Sequence, residues 1–165
     1  MERVLLIGSP CAGKTTLALA LGKKLDLPVI HLDTLHWRDG WVEAPREEFD
    51  ALLSEALARP RWIIDGNYSR TLPLRLSRCD TVVYLDYPRL VCLWGAVRRV
   101  LRNRGVSRPD MGGDCPERFD PEFLRYIWSF RKTQRGKLQT LLAGFDGRVI
   151  TLRSRREARE FVDDM

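Results

Sequence analysis

In the stretch Val4-Leu5-Leu6-Ile7-Gly8-Ser9-Pro10-Cys11-Ala12-Gly13-Lys14-Thr15-Thr16, four apolar residues run directly into a glycine-rich turn. Glycine, four residues, then Gly-Lys-Thr is the Walker A spacing, and the spacing has a physical reason. Glycines let the main chain curl until successive N–H groups face one phosphate, a following helix adds its positive end, and the lysine reaches the outer oxygens. The motif lies between a predicted strand and a predicted helix, the context it requires. Gly8, Ser9, Pro10, Cys11, Ala12, Gly13, Lys14, Thr15 and Thr16 are therefore expected to hold the phosphates of ATP, with Thr15 ligating Mg2+. Cys11 has no part in that chemistry, and its thiol is expected to be open to alkylation when the loop is empty.

Outward from the loop, short apolar runs alternate with helical stretches. The pattern predicts strands over 4–7, 28–32, 62–64, 81–85 and 149–152, and helices over about 14–25, 45–58, 88–104, 120–142 and 154–162. Pro45 with Glu47 and Glu48 suits a helix start, while Asp120-Pro121 and Ser154 with Glu157 read as N-terminal caps. A loop carries Asp33, Trp37, Gly40 and Trp41. Residues 105–120 hold Pro109, Gly112, Gly113 and Pro116, which predicts a long irregular surface loop of the kind that usually serves function. Strands separated by helices point to right-handed crossovers and a parallel sheet, hence an α/β layered fold in one domain over 1–165. Ligands in such sheets sit at the carboxyl ends of the strands, where Gly8, Asp33, Asp65 and Asp86 fall.

At 165 residues, 44% apolar and 30% charged, the chain is one domain's worth of sequence and too apolar for disorder. Its longest apolar run, 90–97, is too short to cross a bilayer, and the opening residues lack the length of a secretory leader, so a cytosolic location is expected. Cys11, Cys79, Cys92 and Cys115 are spaced singly, and His31 and His36 complete no zinc set; free thiols and no structural metal are expected. The net charge is +6, and the whole excess falls within residues 89–135, where nearly every cation is arginine. Arginine's planar fork binds phosphate oxygens in pairs, so a phosphate-bearing partner is expected; a solvated helix face is the plainer alternative.

A phosphate loop needs a second carboxylate near the magnesium. Asp65 and Asp86 both end strands. Asp65 is preferred because Gly66 after it permits close backbone approach, whereas Asp86, two residues before Pro88, suits a helix cap. Asp33 would orient or deprotonate a hydroxyl acceptor but would repel a phosphate; a turn cap is its alternative role. Trp37 and Trp41 are candidate walls of an acceptor pocket, with core packing as the alternative.

Asp65-Gly66-Asn67-Tyr68-Ser69-Arg70-Thr71 is similar to the Asp-Gly-Phe-Pro-Arg-Thr segment of adenylate kinases, with one extra residue and no proline. The chain as a whole resembles the bacterial DNA-topology modulation, or FlaR-like, family, a branch of the nucleotide-kinase-like P-loop proteins. The resemblance rests on His31-Leu32-Asp33 with Trp37 and Trp41, Trp62 to Thr71, Arg108-Pro109-Asp110-Met111, Cys115-Pro116-Glu117-Arg118-Phe119 and Ile127-Trp128-Ser129-Phe130-Arg131. It implies a three-layer P-loop NTPase of nucleotide-kinase type, a five-stranded parallel sheet in the order 2-3-1-4-5, an acceptor region over about 33–60 and a lid over about 102–121.

The resemblance also implies roles. Arg98 and Arg102, which their i, i+4 spacing puts on one helix face, would meet ATP at the base of the lid. Arg70 would hold an acceptor phosphate, and Arg131 and Arg135 would approach from the far side of the lid. The expected activity is Mg2+-assisted phosphoryl transfer from ATP to a nucleotide, nucleoside or other small acceptor. Lys14, Asp33, Arg98, Arg102 and Arg131 would be catalytic, Asp33, Trp37, Trp41, Asp65, Gly66, Asn67, Arg70 and Arg135 would bind the acceptor, and Thr15 and Asp65 would hold the metal. Two other readings stand beside it: a DNA-binding regulatory NTPase that uses the basic segment as its footprint, and a nucleotide sensor with little turnover. The kinase reading is preferred because the cations cluster in the expected lid and not on an appended arm.

Overall fold

A computed structural model describes all residues, 1–165. The chain runs through β1 (Arg3–Gly8), α1 (Lys14–Leu25), β2 (Val29–His31), α2 (Leu32–His36), β3 (Trp37–Arg38), β4 (Val42–Glu43), α3 (Arg46–Ala58), β5 (Trp62–Asp65), α4 (Leu72–Leu76), β6 (Thr81–Leu85), α5 (Arg89–Asn103), α6 (Pro121–Thr133), α7 (Arg135–Ala143), β7 (Arg148–Leu152) and α8 (Arg155–Asp163). No helix is long and apolar enough to cross a membrane.

Five strands form one parallel sheet in the order β2-β5-β1-β6-β7. The written order departs from the expected 2-3-1-4-5 because two short strands, β3 and β4, enter the count. They pair antiparallel as a hairpin, Trp37 opposite Glu43, with Gly40 and Trp41 at positive φ in its turn. β1 lies at the centre, and side chains along it alternate between two cores. Val4 and Leu6 pack with Leu17 and Leu21 of α1 and with Cys92 and Ala96 of α5. Leu5 and Ile7 face the opposite way, toward Leu53 and Leu57 of α3 and Leu138 and Leu142 of α7. A strand covered on both faces reads as an unbroken apolar run, which is why 4–7 was legible.

Three stretches depart from expectation, the first being 72–76, where no element is predicted and the chain forms α4. Residues 33–44, read as loop, form α2 and the hairpin; Thr34 Oγ1 donates to His31 O at 2.7 Å, starting a helix where the strand ends. The helix expected over 120–142 is two helices that meet at Gln134, whose φ is −111°. Ile127 of α6 serves one core and Leu138 of α7 the other, so the chain changes direction between them. The caps at Asp120, which accepts from the N–H groups of Glu122 and Phe123, and at Ser154 form as the sequence indicates.

Candidate functional site

The phosphate-binding loop leaves β1 at Gly8, where φ is 129° and a Cβ would meet the main chain of Leu85. Only glycine fits there. The Ser9 N–H donates to Leu85 O at 2.9 Å, tying the loop to β6. α1 begins at Lys14 with no side-chain cap and no acid in its first turn, so its first N–H groups are left to serve an anion. The Lys14 ammonium lies back over the loop, donating to Gly8 O at 3.1 Å and Ser9 O at 2.9 Å.

Asn67, just beyond the neighbouring strand β5, holds the base of the loop. Its Oδ1 accepts from the Gly8 N–H at 3.0 Å, and its Nδ2 donates to Gly8 O at 2.9 Å. Thr15 Oγ1 lies 2.9 Å from Asp65 Oδ2 and 3.2 Å from Asp110 Oδ2. His31 Nδ1 sits 3.2 Å from the same Asp65 oxygen. That hydrogen bond raises the imidazole pKa above its ordinary value, against the opposing effect of burial. A hydroxyl and a carboxylate meeting at the mouth of the loop form an all-oxygen donor set of the kind Mg2+ takes.

Asp33, Trp37 and Trp41 line the same cleft as Lys14 and Thr15, a cavity of about 1780 Å³. It is large enough for two substrates, since single-ligand pockets run to roughly 300–1,000 Å³. The Tyr68 hydroxyl donates to Asp33 Oδ1 at 2.7 Å. Burial first, and then the Asp33 carboxylate, push the phenol pKa far up, so Tyr68 stays a neutral donor. The Trp37 and Trp41 rings meet edge to face with centroids 5.5 Å apart.

The loop 104–120 folds over this cleft and docks on the hairpin. The Gly40 N–H donates to Asp114 O at 2.8 Å, the Asp114 N–H to Asp39 Oδ1 at 2.7 Å, and Trp41 Nε1 to Pro116 O at 3.2 Å. The chains approach so closely that a Cβ at Gly112 would meet the carbonyls of Thr34 and Trp37. Inside the loop, buried Glu117 accepts from Arg99 Nε at 2.7 Å, and Arg108 Nη1 donates to Asp110 Oδ2 at 2.8 Å. Arg98 and Arg102 line the cleft with exposed guanidinium groups.

Four expectations need correction. Arg131 and Arg135 do not face the cleft; both hold Asp86, which is 2% exposed, with Arg131 Nε 3.2 Å from Oδ1 and Arg135 Nη2 2.8 Å from Oδ2. Asp86 therefore caps no helix: a buried carboxylate needs cations, and it takes the two arginines that the family resemblance puts at the far side of the lid. Arg70 lies outside the cleft lining, paired with exposed Asp50 at 2.6 Å. Cys11 is half-buried, and burial raises its thiol pKa against the pull of Arg99 and Lys14, which works against ready alkylation. Arg108, Asp110, Tyr68 and buried Arg75 were missed as site residues. The only signal was their position inside the stretches that carried the family resemblance, and for Arg75 there was none.

Residues 4–65 match the family described as ATPase family associated with various cellular activities (AAA). That span runs from β1 through the loop to Asp65. The fold is that of the P-loop NTPases. The whole chain is similar in structure to shikimate kinase from Bacteroides thetaiotaomicron, with a TM-score of 0.59 at 20% identity, covering 99% of this chain and 95% of that one. Shikimate kinase from Aquifex aeolicus vf5 gives a TM-score of 0.57 at 19% identity, covering 98% and 92%. No curated protein matches the sequence significantly.

Proposed function

We propose that the chain is an ATP-dependent phosphotransferase acting on a hydroxyl of a small acceptor. The observation that carries this reading is one cleft lined at one end by Lys14 and Thr15 and at the other by Asp33, Trp37 and Trp41. The uncapped start of α1 and the main chain of 8–16 hold the phosphates, and Lys14 swings from its resting place on Gly8 and Ser9 to the outer oxygens. Arg98 and Arg102 meet the phosphates from the base of the lid, which spans about 102–121. Mg2+ held by Thr15 and Asp65 would neutralise charge on the phosphates. Asp33, oriented by Tyr68, accepts the proton of the attacking hydroxyl. The aromatic walls at Trp37 and Trp41 and the overlying loop exclude water, which suppresses wasteful hydrolysis.

A hydroxyl acceptor is favoured over a phosphate because the one arginine expected to hold an acceptor phosphate, Arg70, is paired elsewhere, and Asp33 would repel a phosphate. Nucleosides, nucleotides with a free hydroxyl and other small alcohols all fit the class. The FlaR-like resemblance belongs to this same reading, since its stretches supply Asp33, both tryptophans, Asn67 and Asp110. A DNA footprint is less favoured: Arg99, Arg108, Arg131 and Arg135 of the basic segment are ion-paired within the chain. The test is a panel of nucleosides, monophosphates and alcohols with ADP release as readout. Release that needs an acceptor supports the reading; no release with any acceptor, despite Mg·ATP binding, leaves a sensor in its place.

A further inference from the structure

Beyond β5 the chain turns sharply through Gly66, Asn67 and Tyr68, with φ of 144° at Gly66 and 27° at Tyr68. The carbonyls of Gly66 and Asn67 meet no main-chain N–H. Arg75, on α4, meets them instead. It is 0% exposed, and its Nη1 donates to Gly66 O at 2.8 Å while its Nη2 donates to Tyr68 O at 2.9 Å and to Asn67 O. Its charge rests against three carbonyl dipoles and not in an ion pair, and its Nε finds no partner. Burial lowers its pKa to about 10, which still leaves it charged at neutral pH. A long cation held entirely inside the protein is a costly arrangement unless something requires its planar fork.

What it holds is the one turn that serves both halves of the cleft. Asn67 grips the main chain of Gly8 on the nucleotide side, and Tyr68 grips Asp33 on the acceptor side. We infer that Arg75 is a positioning residue that sets both halves at once, fixing Asn67 against the phosphate-binding loop and Tyr68 against Asp33 through the three carbonyls of the turn. The role rests on the phosphotransferase reading of the cleft. Lysine cannot reproduce it, since one ammonium cannot span three carbonyls in the plane that a guanidinium reaches.

A double-mutant cycle on Mg·ATP affinity, read by calorimetry well below the melting temperature, tests the nucleotide half. Asn67→Ala and Arg75→Lys should each weaken binding roughly tenfold, the scale of losses on removing an outer support. The double variant should bind no worse than the weaker single one, because both act through the same grip. Losses that multiply overturn the inference, as does a lowered melting temperature for Arg75→Lys with unchanged affinity. A second measurement needs no nucleotide. In the ligand-free protein, exchange of the Asn67 side-chain amide protons, read by NMR, should quicken in Arg75→Lys; unchanged exchange refutes the role. If the wild-type chain binds no Mg·ATP, the phosphotransferase reading fails while this exchange still decides the role of Arg75. Should Arg75→Lys not fold, the wild-type guanidinium protons decide: their exchange should slow when Mg·ATP binds, and indifference to nucleotide overturns the inference.

Discussion

At one end of the cleft, Gly8 to Thr16 form a single stretch between a buried strand and a helix. At the other, Asp33, Trp37, Trp41 and Tyr68 come from separate segments joined only by folding, with the loop 104–120 lying across both ends and bringing Asp110 to Thr15. The first end is built on main-chain curvature, with Ser9 tied to β6 by a main-chain bond and Gly8 gripped by the Asn67 side-chain amide. The second is held by side chains and by one loop lying on a hairpin. The difference teaches where each end can change. Backbone-built phosphate sites tolerate substitution only where no Cβ intrudes, whereas side-chain-built walls can be re-cut without disturbing the phosphates.

The largest expected effect lies at the first end. Lys14→Ala should lower turnover by at least about 10²- to 10³-fold, the cost of deleting a charge-stabilising group, with the fold intact by circular dichroism. Activity within tenfold of wild type would break the assignment of this end to phosphoryl transfer. Next comes Asp33→Asn, which should lower transfer to a hydroxyl acceptor by about 10²-fold or more while calorimetry gives an unchanged Mg·ATP affinity. A loss of ATP affinity there would mean that the two ends are not separate. Trp41→Ala sharpens the contrast further: the acceptor KM should rise by about tenfold, the worth of one or two lost apolar contacts, with the KM for ATP unmoved.

Smaller effects test the corrected residues. Arg70→Ala, which loses an exposed pair with Asp50 and a contact over the Phe49 ring, should leave the melting temperature nearly unchanged and turnover within twofold. A large loss would return Arg70 to the acceptor site. The Cys11 thiol, its pKa raised by burial, should react slowly with a maleimide at neutral pH. Its labelling should accelerate as pH rises toward that raised value, because the thiolate is the nucleophile. Mass spectrometry after timed labelling reads this, and fast labelling at pH 7 would show an open loop.

Much of the first end was legible because its information is local. Val4 to Ile7, the Gly8 to Thr15 spacing and α1 over Lys14–Leu25 all follow from contiguous residues. Asp65 is preferred over Asp86 on the glycine after it and on the helix start that Pro88 marks after Asp86, and in the fold Asp65 meets Thr15 while Asp86 meets arginines. Residues 33–44 were misread as loop because α2 has five residues and each hairpin strand two, too short for any period to register. The family resemblance puts Arg131 and Arg135 at the far side of the lid, and their i, i+4 spacing says which residues share a face but not what the face meets.

From its letters alone the chain determined a parallel α/β sheet and a phosphate loop at its centre, because backbone curvature and apolar runs depend on neighbours in sequence. Only the tertiary structure decided which of many arginines line the cleft, and that Arg75 lies inside under the turn. A guanidinium is attracted to any carboxylate or carbonyl within reach, and what lies within reach is set by packing between segments far apart in the chain.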